Sequence, residues 1–499
     1  MRYYNPVIRG FYPDPSVCYA EGCFYLVCSS FHYFPGIPLF KSKNMIDWEL
    51  IGHCLTRKSQ LNLTGAVASE GLFAPTIRYH NGRFYMVVTN QSGGGNFYVY
   101  TDDIEGEWSD PIFVQQTGID PSLLIDQDKV YFTSNGSDEN GVPAIFQCEI
   151  DIETGALLTE SKIISYGTGG RYVEAPHLYR IEDYYYLLLA EGGTEYGHTA
   201  TMLRSKSPYG PFESCPHNPV LTNRHLGGYF IQGAGHGDLT VDEQGKWWMV
   251  HLAFRQIGRY RQFHHLGREV FLAPVSWTED GWIRVGTDGT ARGAFQMENG
   301  NCRALPEEVP RHQTWAVNEK EACYLRSPNE ELYQWTSKDT FRLKGSLDTL
   351  DGQGNPTFLG IRQQEFDCTT ECVLKGDSML VGQEAGLTVY MKEQHRYDLY
   401  VCKEEEAYRI SRRLIIGGLQ MQAREVMVSD PNIKLKIEST AVEYAFFAAG
   451  ADGNDIELGR AESKYLSSEV AEGFTGVIIA AYCIANRDGH SSWVEFHTK

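Results

Sequence analysis

Long apolar runs are missing from this 499-residue chain: none reaches eighteen residues, so no membrane-spanning helix is expected. The start, Met1-Arg2-Tyr3-Tyr4-Asn5-Pro6, has no apolar stretch of the kind that directs secretion. Positive charge is also scarce. Lys and Arg number 44 against 64 Asp and Glu, a net charge of −20, which argues against nucleic acid or an acidic membrane surface as a partner. The twelve cysteines are scattered and form no Cys-x-x-Cys pair, so neither a disulfide framework nor a zinc ribbon is indicated. Reduced thiols in a cytoplasmic protein are the expectation. The one glycine run, Gly93-Gly94-Gly95, leads into the strand-like Phe97-Tyr98-Val99-Tyr100. A phosphate-binding loop needs a helix there, so a nucleotide site is excluded.

Aromatic residues, by contrast, are plentiful, with 30 Tyr, 24 Phe and 9 Trp. They favour strands and surfaces on which sugars stack. A short pattern then recurs: Asp14-Pro15-Ser16-Val17, Ala74-Pro75-Thr76-Ile77, Asp120-Pro121-Ser122-Leu123 and Ala175-Pro176-His177-Leu178. Each copy opens a strand pattern and is followed within about ten residues by a second one. A degenerate fifth copy is read at Gly237-Asp238-Leu239-Thr240, before Trp247-Trp248-Met249-Val250. Repeats of this size, rich in strands, predict an all-β fold with a five-bladed propeller over residues 1–303. Past the linker-like Leu305-Pro306-Glu307-Glu308-Val309-Pro310, alternating segments separated by Gly, Asn and Asp turns predict a β-sandwich over 304–499.

The repeats suggest chemistry as well as fold. The first strand of each blade lines a propeller's channel, so equivalent positions converge on one axis. Asp14 and Asp120 hold the same place in their copies, and Glu174 stands one position before the matching Ala175. Three carboxylates brought to one mouth push one another's pKa upward, letting one remain an acid while another acts as a base. A glycosidic bond is cut by such a set. Each Asp-Pro alone reads equally as a turn, since Asp bonds nearby backbone and Pro fixes φ. His251, His264 and His265 show no ligand spacing, so no metal centre is read from them.

With those residues placed, the chain resembles glycoside hydrolase family 43, and within it the two-domain β-xylosidase and α-L-arabinofuranosidase branch. The residues that carry the likeness are 5–16 (NPVIRGFYPDPS), Phe34-Pro35-Gly36-Ile37-Pro38, Ile51-Gly52-His53, Phe73-Ala74-Pro75-Thr76, Ile119-Asp120-Pro121-Ser122, Glu174-Ala175-Pro176-His177 and Gly235-His236-Gly237-Asp238. The resemblance implies a five-bladed propeller that inverts at the anomeric carbon, with a jelly-roll or concanavalin-like second domain capping the pocket. It implies Asp14 as general base, Glu174 as general acid and Asp120 as the residue that orients the acid and tunes its pKa. It places Phe31, Phe73, Thr194, His236, Arg268 and Phe474 around the sugar, the last lent by the second domain. No cofactor is required, and the resemblance leaves room for a structural calcium held through water at His236, and for a homo-oligomer. The implied activity is removal of terminal β-D-xylose from xylo-oligosaccharides, in xylan degradation. Phe73 stands where that branch usually has Trp, which keeps α-L-arabinofuranose open as the alternative. Two further readings are a non-catalytic carbohydrate-binding propeller and a retaining, invertase-like one. The first has no use for an acid, a base and a tuning carboxylate together. The second resembles Trp-Met-Asn-Asp-Pro at the first strand, where this chain has Phe11-Tyr12-Pro13-Asp14.

Overall fold

The structure, a computed structural model, describes residues 1–258, 262–298, 301–305, 308–422, 425–449 and 453–498. Among these residues nearly all of the regular secondary structure is strand. Five antiparallel sheets follow in chain order, their strands adding one after another along the chain, with only the short Tyr33–Phe34 passed over in the first. Their first strands are Ser16–Ala20, Leu72–His80, Ser122–Asp126, Glu174–Ile181 and Ile231–Val241. Each first strand packs beside the next, and the fifth returns to the first, so the five form a closed ring around one axis.

The backbone repeats more strictly than the sequence does. In all five sheets the residue two before an equivalent ladder position (Ser16, Thr76, Ser122, His177 and Asp238) has positive φ: Asp14 (57°), Ala74 (37°), Asp120 (54°), Ala175 (50°) and His236 (47°). A left-handed non-glycine residue costs roughly 1–3 kcal/mol and persists only where its surroundings hold it. Here Pro follows in four cases and Gly237 in the fifth. This corrects the register of the fifth copy. The sequence pattern starts it at Gly237, but Asp238 pairs with Val250 as Ser16 pairs with Val27 and Ser122 with Thr133. His236, not Gly237, therefore occupies the place of Asp14 and Asp120. The missing proline is what hid the one-residue slip.

The N-terminal segment is stitched onto the last part of the ring. Arg2–Tyr4 pairs with Ala294–Glu298, and Ile8 bridges Val270. The buried Asn5 amide binds the carbonyls of Leu272 and Arg292 and accepts from the Leu272 N–H, at 2.9–3.0 Å. Ala294–Glu298 also pairs with Asn301–Leu305. The division expected at 303/304 falls inside that hairpin. Pro306 and Glu307 of the linker stretch lie outside the described residues.

The rest of the chain forms two large sheets. In one, Asp367–Lys375 and Asn432–Ser439 bury every second residue, as strands with one solvated face do. Glu384–Lys392 and His395–Lys403 of the other are buried almost throughout. One face meets the sandwich core at Leu387, Val389, Leu399 and Val401. The opposite face belongs to a cluster shared with the first domain, in which Tyr390, Tyr400 and Tyr482 join Phe11, Phe31 and Tyr33. The join is polar too. Tyr324–Leu325 pairs with Tyr33–Phe34, Arg326 donates to the Ala66 carbonyl at 2.7 Å, and Arg9 binds Glu365 at 2.6 Å. Large apolar side chains contribute ~1.5–3 kcal/mol each on burial, so a face of this size fixes the second domain on the first.

Candidate active site

The kinks at the start of the first strands aim Asp14, Asp120 and His236 at one mouth of the ring. Glu174, one residue ahead of the kinked Ala175, joins them. Asp14, Asp120, Glu174, His236, Thr194, Arg268, Phe31, Phe73 and Phe474 all line one cavity of about 70 Å³, with Ile119. Every site residue expected from the sequence is thus gathered in one place. The His cluster is not: His264 is bound by Glu469, and His265 packs between Phe366 and Tyr444.

Asp14 is buried and tightly held. Its Oδ1 accepts from Arg268 Nη1 at 2.7 Å and its Oδ2 from Ser29 Oγ at 2.6 Å. Ser29 Oγ also accepts from the Ala74 N–H at 2.7 Å, which locks the hydroxyl's direction. Nothing in the sequence marked Ser29 for this role, since its partners, Asp14 and Ala74, lie 15 and 45 residues away. Arg268 Nη1 reaches Thr194 Oγ1 at 3.0 Å as well, and its buried Nη2 has no protein partner. An unpartnered buried guanidinium nitrogen beside a cavity is a waiting donor for a sugar hydroxyl.

The carboxylates divide electrostatically. Burial, then the charge of Asp14, raises Glu174 to about 7, against an opposing pull from Arg268. Burial and the charges of Glu174 and Asp14 push Asp120 upward as well, although the Ala175 N–H bonds it at 3.1 Å. Asp14, with a guanidinium and a hydroxyl on its two oxygens, is the member best placed to carry negative charge. Burial lowers His236, so its imidazole is neutral at neutral pH; its Nδ1 lies 3.6 Å from Asp14.

Three rings close the cavity. Phe31 meets Phe73 edge-on at 5.0 Å and stacks on Phe474 at 6.0 Å, while Arg268 lies 5.6 and 5.4 Å from the centres of Phe31 and Phe474. Phe474 comes from the second domain. Its N–H donates to Ser69 Oγ at 2.8 Å. The backbones also touch closely: a Cβ on Gly476 would lie 2.6 Å from the Leu266 carbonyl, and one on Gly267 would lie 3.0 Å from the Gly476 Cα.

A second cavity of about 630 Å³ adjoins the first and shares Glu174, Thr194, Arg268 and Phe474 with it. Tyr172, Glu195, Tyr196, His264 and Glu469 are among its other walls. Glu469 clamps the two domains here. It accepts from the His264 N–H and from Tyr196, and pairs with His264 Nδ1 at 2.7 Å. Burial would raise the Glu469 carboxyl, but these bonds outweigh it and bring it down to about 2. A carboxyl lowered on folding stabilises above its unfolded pKa, and that contribution fades as pH falls through the folded value. Glu469→Gln is therefore expected to flatten the loss of thermal stability between about pH 4 and 2, with melting curves as the measurement; an unchanged acid limb would refute the clamp.

Deeper along the axis, Arg78 forks onto Asp238 at 2.8 and 3.1 Å, and Ser16 and Tyr179 bond the same carboxylate at 2.6 and 2.5 Å. Arg78 also meets His177 Nδ1 at 3.0 Å. The carboxylate next to His236 is thus already neutralised by a guanidinium. Among the described residues no group of three or more His, Cys, Asp and Glu is gathered as a ligand set.

Comparison with known proteins agrees with the geometry. The pattern of the family described as "Glycosyl hydrolases family 43" matches residues 3–283, and that of "Beta xylosidase C-terminal Concanavalin A-like domain" matches 320–498. The chain is 36% identical to a non-reducing end alpha-L-arabinofuranosidase of Bacteroides ovatus, covering 99% of this chain and 93% of that protein. It is 35% identical to a xylosidase/arabinosidase of Butyrivibrio fibrisolvens, covering 99% and 98%. Among solved structures, "Bacteroides ovatus Xyloglucan PUL GH43B" superposes with a TM-score of 0.89 at 34% identity, covering all of both chains.

Proposed function

Because the chain belongs to glycosyl hydrolase family 43, and is a glycoside hydrolase, we propose that it removes single pentose units from the non-reducing ends of oligosaccharides, with inversion. The observation that carries this reading is the pair of joined cavities. The inner one, at about 70 Å³, leaves room for no more than one sugar ring and has Phe31, Phe73 and Phe474 in its wall, whereas the outer one, at about 630 Å³, is several times larger. Such a shape takes a chain end, not its middle.

In this mechanism Asp14 is the base. It draws a proton from water as the water attacks the anomeric carbon. Glu174, protonated near neutral pH, gives its proton to the departing oxygen as the glycosidic bond breaks. Asp120 accepts from the Ala175 N–H next to the acid and so fixes the acid's position. Arg268 and Thr194 orient both Asp14 and the sugar. All twelve cysteines are unpaired, which suits a reducing compartment.

The substrate we favour is terminal β-D-xylose. α-L-Arabinofuranose is the second reading, supported by Phe73 in place of a larger ring and by the name of the Bacteroides ovatus relative. Proton NMR of xylobiose digestion separates them. α-Xylose as the first anomer released is the expected result. β-Xylose first would overturn inversion, and no release from xylobiose with release from an arabinofuranoside would transfer the activity to the second sugar.

A further inference from the structure

Another buried carboxylate stands behind the site and lines neither cavity. Glu191 ends the strand Tyr184–Glu191 and is 2% exposed. Its Oε1 accepts from the Thr168 N–H at 2.8 Å, Thr168 Oγ1 at 2.9 Å and Thr201 Oγ1 at 2.8 Å. Its Oε2 accepts from the Gly170 N–H at 2.6 Å. None of these four donors is a cation. A carboxylate is costly to bury without a counter-charge, and backbone N–H groups converging in a glycine-rich turn are a structure that can repay that cost.

The turn is shaped around it. A Cβ on Gly167 would lie 3.0 Å from Oε1 and one on Gly170 would lie 2.6 Å from Oε2. Four residues after Gly170 comes Glu174, and between them Tyr172 forms a wall of the outer cavity. The same strand end grips the segment twice more, through Gly192 N–H to the Arg171 carbonyl at 2.6 Å and through the pairing of Glu174 with Ala190. Side chains alternate along a strand, so Ala190 lies beside Glu174 while Glu191 points to the other side, into the turn.

We propose that Glu191 is a positioning residue for the proton donor: by holding the turn 167–170 it sets the approach of Glu174 and Tyr172 to the leaving group. This rests on the reading of Glu174 as the acid. A misplaced acid harms substrates that need their leaving oxygen protonated and spares those that do not. A residue that only stabilises the fold would harm both alike.

The test is kinetic, on purified full-length protein, with xylobiose and 4-nitrophenyl β-D-xyloside, or the arabinofuranoside counterparts if that sugar is the substrate. Glu191→Gln keeps the shape but turns an amide donor toward one of the N–H or O–H donors. Gly170→Ala leaves Glu191 intact and puts a methyl where Oε2 lies, at a residue without positive φ. Each variant is expected to lower kcat on the disaccharide ~10-fold or more beyond its effect on the aryl glycoside, with the alkaline limb of the kcat–pH profile displaced. Glu174→Ala is run beside them. If it separates the two substrates and neither Glu191→Gln nor Gly170→Ala does, the proposal falls alone. If Glu174→Ala slows both alike, the donor is elsewhere and the proposal falls with that reading. Two variants guard against one of them failing to fold.

Discussion

Replacement of Asp14 by alanine is expected to lower kcat on every glycoside by ~10³-fold or more, whatever the leaving group. The water must lose its proton in the step that breaks the bond, and no second group at the site is as well placed to take it. Glu174 and Asp120 are both raised toward the protonated form, and His236 is 3.6 Å from Asp14 and would need to gain charge in a buried setting that opposes it. Alanine at a left-handed residue adds strain, and it leaves Arg268 with Thr194 as its remaining partner. Asp14→Asn is the companion variant, because Asn tolerates positive φ and can still accept from Ser29. Asp14→Asn should melt near the wild-type temperature, and both variants should be inactive. Residual activity within about tenfold of wild type in either would remove Asp14 as the base.

The expected signature of Glu174→Ala is different. On xylobiose, whose leaving oxygen is a poor one, kcat should fall ~10²–10⁴-fold; on an activated aryl glycoside the fall should be far smaller. The pH profile supplies the second readout. Glu174 is raised to about 7 by burial and by Asp14, so its proton is present below that pH and lost above it. Wild-type kcat on the disaccharide should therefore decline as pH rises through about 7. In Glu174→Ala, assayed on the aryl glycoside, that alkaline decline should vanish. Equal slowing of both substrates, or an unchanged alkaline limb in the variant, would mean that Glu174 is not the donor.

Much of the site was legible because a ring of repeats turns sequence register into position in space. Asp14 and Asp120 share a register, Glu174 is offset by one, and the fold can only bring them to the same mouth. Legibility ended where that device ends. The fifth copy lost its proline, and with it the cue to its kink, so His236 was read one place out of register. Ser29 and Glu191 act through hydrogen bonds to Ala74, Thr168 and Thr201, partners that no spacing along the chain announces. The shared core of the two domains was likewise hidden. Glu384–Lys392 is buried on both faces, but a pattern of burial does not say that one of those faces belongs to the first domain. Phe474 was reached by family resemblance alone, since its loop carries no chemistry of its own.

Arg78 has a consequence for traffic through the molecule. Its guanidinium, tied to Asp238 and His177 across the axis, stoppers the far side of the ring. A freed monosaccharide then lies at the bottom of a blind well, beneath the shortened chain that was just cut from it. The longer product has to depart first, and the sugar follows by the way it came. Ordered release is therefore the expected result, the shortened chain first and the monosaccharide last, with inhibition by the free monosaccharide competitive against substrate as the measurement.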